Sequence, residues 1–136
     1  MPAIVATPLD ELRADLTAEQ AAFDALVADL APAHWTTPTP SEGWAVRDQI
    51  AHLAYFDEVA ALAITDPEGF TRELAVARED VRSYEARYIE RGRALAPAAL
   101  LAWWREARRC HAEAAGRLQP KARVAWYGPP MSAMSF

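Results

Sequence analysis

Four residues in this chain stand out as possible metal ligands or nucleophiles: the histidines His34, His52 and His111 and the single cysteine Cys110. A neutral imidazole binds zinc and similar ions, and a thiolate can do so or attack carbon. Cys110 has no second cysteine for a disulfide and no Cys-x-x-Cys neighbour for a thiolate cluster, so it reads as a small, partly buried helical residue. His34 lies in the segment 31–42 with Pro32, Pro38 and Pro40, which has no regular ladder to offer, and reads as solvated. His52 and His111 differ from these because each recurs in phase with apolar residues. Two readings of His52 stay open: a core histidine whose ring nitrogens find hydrogen-bond partners, or a metal ligand on a rigid helix. On spacing alone, His52 and His111 on two inward-facing helices would form a two-histidine pair.

The elements that must position them follow from periodicity. Gly43 breaks the chain, and Val46, Ile50, Leu53, Ala60 and Ile64 then recur with helical spacing, which predicts a helix from about Val46 to Thr65. Asp48 falls at the third position, where its carboxylate reaches back to the Ala45 amide, while Ala45 offers no oxygen to complete a capping box. A second phase, Gln49, His52, Phe56, Val59 and Ala63, makes the helix apolar around most of its circumference and therefore buried on more than one side. Upstream, Thr7-Pro8 with Asp10 and Glu11 starts a helix predicted over Pro8 to Leu30, with Leu9, Leu12, Leu16, Phe23, Leu26, Val27 and Leu30 on one stripe. Trp35 and Trp44 bracket the following loop and would pin it to the bundle.

Downstream, Asp66-Pro67 opens a highly charged helical region that breaks near Arg78 to Arg82, crosses the outside of the bundle and stops at Gly92. Pro97 begins a helix to about Leu118, with Leu100, Trp104, Ala107, His111, Ala114, Ala115 and Leu118 on the core face. The fold class is all-α.

Composition narrows the function classes. The 136 residues, 52% apolar and 24% charged, suit one domain with a sizeable core. A net charge of −5 without a clustered basic face argues against nucleic acid. No run of about 18 apolar residues spans a membrane, and Met1 to Ala6 lacks the basic and apolar regions of a signal peptide, which makes the cytoplasm the expected location.

The segment Trp44-Ala-Val46-Arg47-Asp48-Gln-Ile-Ala-His52-Leu53 is similar to the second-helix signature of the DinB-like metal-binding four-helix-bundle proteins. Within that superfamily the whole chain resembles the N-terminal domain of mycothiol-dependent maleylpyruvate isomerases and their uncharacterised actinobacterial relatives. Val124-Ala-Trp126-Tyr127-Gly128-Pro129-Pro130-Met131-Ser132-Ala-Met-Ser-Phe136 is similar to the loop before their last bundle helix.

The resemblance implies a DinB-like bundle with three long helices and a crossover segment. It implies His52 as a ligand of a divalent metal, zinc or nickel, completed by a Glu and a His four residues apart on the last helix. That helix lies beyond Phe136, so the expectation is an incomplete bundle whose missing wall comes from further chain or from a partner subunit, such as a homodimer mate. His111 is then a core or pocket histidine. The implied activity is an isomerase or transferase using mycothiol or a similar thiol on a small-molecule substrate, with Asp48 and Gln49 behind the metal ligand and Tyr55, Trp126 and Tyr127 as pocket walls. No residue stands out as a general base. Two other classes fit the same bundle: a non-catalytic metal- or small-molecule-binding module, and a structural oligomer in which His52 is a core residue.

Overall fold

The computed structural model describes Met1 and residues 5–136; the N-terminal reading at residues 2–4 lies outside the described residues. The chain is an all-α bundle of α1 (Pro8–Ala28), α2 (Val46–Thr65), α3 (Pro67–Glu79), α4 (Val81–Arg93) and α5 (Pro97–Ala115), with a short 3-10 helix at Pro32–Thr36. A small antiparallel hairpin follows, β1 (Arg123–Val124) with β2 (Met131–Ser132), in a segment that sequence reading treats as loop.

Local chemistry sets the helix starts. Thr7 accepts from the Asp10 amide at 3.2 Å while the Asp10 carboxylate accepts from the Thr7 amide at 2.9 Å, a complete capping box ahead of Pro8. At α2 only half of that arrangement exists: the Ala45 amide donates to Asp48 at 2.8 Å and nothing returns the bond. Asp80 divides the charged region, accepting from the amides of Arg82 and Ser83 at 3.0 and 3.2 Å and so starting α4 where α3 ends.

α2 is the central element and packs against α5, α4, α3 and the 3-10 helix. Ile50, Ala51 and Ala54 are 0% exposed, and Leu100, Leu101 and Trp104 of α5 close over them. Burying one such side chain as large as Ile50 contributes about 2 kcal/mol. The α4 segment is more deeply engaged than a crossover on the outside, because Tyr84, Tyr88 and Ile89 turn into the core. Gly92, expected to stop that helix, lies inside it. A Cβ there would collide with the Ala51 side chain, so the glycine serves the close approach of α4 to α2.

The two helices are also fastened by charge. Asp48, 1% exposed, accepts from Arg93 Nε at 2.9 Å and from Arg93 Nη2 at 3.0 Å, and the same Nη2 reaches the Gly43 carbonyl at 3.1 Å. Burial pushes the Asp48 pKa upward, but the Arg93 hydrogen bonds, the Ala45 amide and the Arg93 charge outweigh it and hold the carboxyl below its ordinary value.

α1 is attached more lightly. It meets α5 through an edge-on Phe23–Trp104 contact at 5.3 Å and through Asp24, which pairs with Arg105 and Arg108 at 2.7 Å each. Leu12, Leu16 and Leu26 of its apolar stripe stay exposed.

Replacing Asp48 by Ala strands Arg93, and because that guanidinium is partly exposed the expected loss is about 2–4 kcal/mol in denaturant unfolding, at the lower end of the range for broken buried pairs. The folded pKa of Asp48 is depressed, so its contribution is complete above the unfolded carboxylate value of about 3.9 and is lost as pH falls from there through the lower folded value. Acid titration of stability should therefore flatten in the Ala variant over that window.

Candidate functional site

His52 projects from the second turn of α2 into a layer of aromatic rings. Its imidazole lies 4.6 Å from Phe56, 5.4 Å from Trp44 and 5.8 Å from Tyr88, ring centre to ring centre. Nδ1 is 3.3 Å from the Tyr88 hydroxyl. Nε2 has no protein partner and is not sealed, since among the described residues Arg47 Nε is the buried side-chain nitrogen left without one. Burial pulls the His52 pKa below its ordinary 6.5, against a smaller opposing pull from Glu85, so the ring is held neutral at physiological pH. The Tyr88 hydroxyl is pushed up to about 12 by burial and by Glu85 and Tyr84, and it keeps its proton.

His52 lines an open cavity of about 460 Å³ between α1, α2, α5 and the C-terminal segment. Its walls are mostly apolar, with Phe23, Phe56, Trp104, Trp126 and Phe136 prominent. The polar groups converging on it are few, His52, Asp57 and His111 from α2 and α5 and Glu19 and Gln20 from α1, the usual form of a small-molecule site.

His111 thus shares a cavity with His52, as the two inward faces predict. It does not stand alone there: His111 Nδ1 lies 2.8 Å from Asp57 Oδ1, with the side chains 17% and 13% exposed. Sequence reading finds no evident general base, and it does not foresee this pair. The two residues are 54 positions apart, and the one signal for them is an acidic residue set in the apolar circumference of α2.

Other expectations are redistributed. Asp48 is committed to Arg93 and Ala45, and Gln49 to the hydroxyls of Thr39 and Ser41, so neither stands behind His52. That position belongs to Tyr88. Of the expected walls only Trp126 lines the cavity. Tyr55 and Tyr127 instead join Tyr84 in a chain of hydroxyls, each step 2.7 Å, which ends on the Glu73 carboxylate 2.9 Å from Tyr55. Burial first, and then these neighbours, push the Tyr55 and Tyr127 hydroxyls well above their ordinary value. His34 is exposed on the 3-10 helix, and the Cys110 thiol is pushed up by burial and by Glu106, which leaves it protonated. Among the described residues no group of three or more His, Cys, Asp or Glu side chains is arranged to hold a metal ion.

The family model for the mycothiol maleylpyruvate isomerase N-terminal domain matches residues 16–136. The chain belongs to this family. Two uncharacterised proteins of Mycobacterium tuberculosis, one from strain H37Rv and one from strain CDC 1551, are each 41% identical to it over 123 residues, covering 90% of this chain and 48% of theirs. The domain therefore spans about half the length of the curated relatives it matches. No solved structure matches it significantly. Among the described residues no helix is long and apolar enough to cross a membrane.

The C-terminal wall of the cavity hangs on Phe70. This ring is 0% exposed and stacks on Trp126 at 5.6 Å with an interplanar angle of 4°, and Trp126 in turn meets Phe136 at 5.0 Å. Phe70→Ala should cost about 3–5 kcal/mol. It should also release Trp126, seen as a red shift and increased quenching of tryptophan fluorescence before global unfolding.

Proposed function

We propose that the domain supplies the His52-bearing wall of a small-molecule site in a divalent-metal- and thiol-dependent isomerase or transferase of the cytoplasm, zinc being the first choice of metal and mycothiol of thiol. The observation that carries this reading is a neutral imidazole with an unpartnered nitrogen on a residue that lines a mostly apolar cavity. With Nδ1–H donating to the Tyr88 oxygen, Nε2 keeps its lone pair for a ligand bond. A group hydrogen-bonded behind a ligating histidine in this way fixes its tautomer and ring orientation.

The fit to a metal is that of one ligand. A catalytic zinc site uses three protein ligands and an open position, and the described residues do not assemble that set around His52. The remaining donors would come from outside the described residues, in line with relatives about twice as long. A bound metal would lower the pKa of a coordinated thiol and so hold it as a thiolate at neutral pH. The chain's own residues do the rest: Phe23, Phe56 and Trp104 offer an apolar surface to a small acceptor, and Tyr88 orients His52.

Zinc titration followed by calorimetry, backed by elemental analysis of the purified protein, tests this. Binding should be weakened at least roughly tenfold by His52→Ala, and by roughly ten- to a hundredfold by Tyr88→Phe, the range seen when the group behind a ligand is removed. Zinc binding that is absent in the wild type, or equal in wild type and His52→Ala, would overturn the reading.

A further inference from the structure

We propose that Asp57 and His111 form a proton-accepting pair for the thiol that occupies the cavity, with His111 Nε2 as the atom that takes the proton. This rests on the reading that the cavity receives a low-molecular-weight thiol and adds the residue that accepts the thiol's proton.

The geometry carries the assignment. An ionised carboxylate can only accept hydrogen bonds, so at 2.8 Å Asp57 fixes the neutral His111 as the Nδ1–H tautomer and leaves the Nε2 lone pair free. Nε2 has no protein partner and is not among the sealed, unsatisfied nitrogens of the described residues, so it is reachable. His111 also stands where two cavities meet. Together with Leu16 and Phe136 it lines both the 460 Å³ cavity and a neighbouring apolar one of about 340 Å³, standing at the boundary between them. A base oriented by a carboxylate and exposed to a largely apolar ligand space is the arrangement that general acid–base work requires. A purely structural ion pair would not need its outer nitrogen at the boundary of two cavities.

The step balances without a further reagent. The S–H bond breaks, the proton forms an N–H bond at His111 Nε2, and the electron pair stays on sulfur. The resulting imidazolium is compensated by the Asp57 carboxylate, and the proton can return to the ligand in the reverse direction. The charged and titratable groups facing His111 are Asp57 and His52 from α2 and Glu19 and Arg13 from α1. Asp57 is the one in hydrogen-bond contact with it.

The test reads the ultraviolet absorbance of the thiolate of bound mycothiol across roughly pH 6 to 9, bracketing a free thiol's value of about 8.5. It uses metal-free protein as wild type, His111→Gln and Asp57→Asn, with folding checked by circular dichroism. In the wild type the bound thiol should ionise at least about one unit below the free thiol, roughly a tenfold gain in thiolate near neutrality. His111→Gln should bind mycothiol with affinity within about threefold of wild type and return the ionisation to the free value, with Asp57→Asn falling between. A folded His111→Gln protein that keeps the wild-type profile overturns the proposal. So does a wild type that binds no thiol, or binds it without shifting its ionisation. Zinc binding in His52→Ala reports separately on the metal site, so failure of that reading and failure of this one give different results.

Discussion

The fold depends first on a carboxylate that is almost fully buried. Asp48 sits in the first turn of α2, where the helix needs an acceptor for the Ala45 amide, and it lies against the end of α4. An unpaired charge in that position would cost several kcal/mol, so the arrangement persists because Arg93 reaches it with two hydrogen bonds and also ties down the Gly43 carbonyl. The entry loop, the start of the central helix and the end of α4 are thereby locked into one unit. His52, one turn later on α2, inherits its orientation from that junction.

The molecule then separates rigidity from access. On the α4 side of α2, Gly92 allows the backbones to approach closely and Tyr84, Tyr88 and Ile89 fill the space. Toward α1, packing is sparser: Val27, the edge-on Phe23–Trp104 contact and bonds from Arg105 and Arg108 to Asp24 and the Gln20 carbonyl hold the helix, while Leu12, Leu16 and Leu26 remain uncovered. The cavity lies on this loosely filled side, with its floor built on the rigid side. A site placed so can hold its chemical groups in fixed orientation while a ligand enters.

Two imidazoles face that space, and their surroundings treat them differently. His52 is kept neutral by burial among rings and touches only a hydroxyl. His111 is hydrogen-bonded through Nδ1 to the Asp57 carboxylate. The two imidazoles thus sit in different environments, one beside a hydroxyl and one beside a carboxylate, and environment is what commonly separates the roles of like groups that share a site.

Much of the frame was legible in the sequence. Thr7-Pro8 and Asp66-Pro67 mark helix starts through bonds made within three residues, Pro97 marks one by its fixed backbone angle, a break is legible near Arg78 to Arg82, and the 3.6-residue period puts His52 and His111 on inward faces. Such features are local, and a chain carries them whatever its fold. The partners of those residues were not legible. Asp48 with Arg93, Asp57 with His111 and Tyr88 with His52 join positions 36 to 54 residues apart, and no periodicity specifies which of several charged or hydroxyl-bearing side chains will meet. Gly92 shows the same limit: read locally, a glycine ends a helix, and only the approach of α2 makes it a contact within one. The sequence by itself determined the helices and the inward direction of the histidines, because backbone hydrogen bonding and amphipathic burial act over a few residues. The tertiary structure decided what each histidine can do, because tautomer and charge depend on neighbours that only packing brings within 3 Å or so.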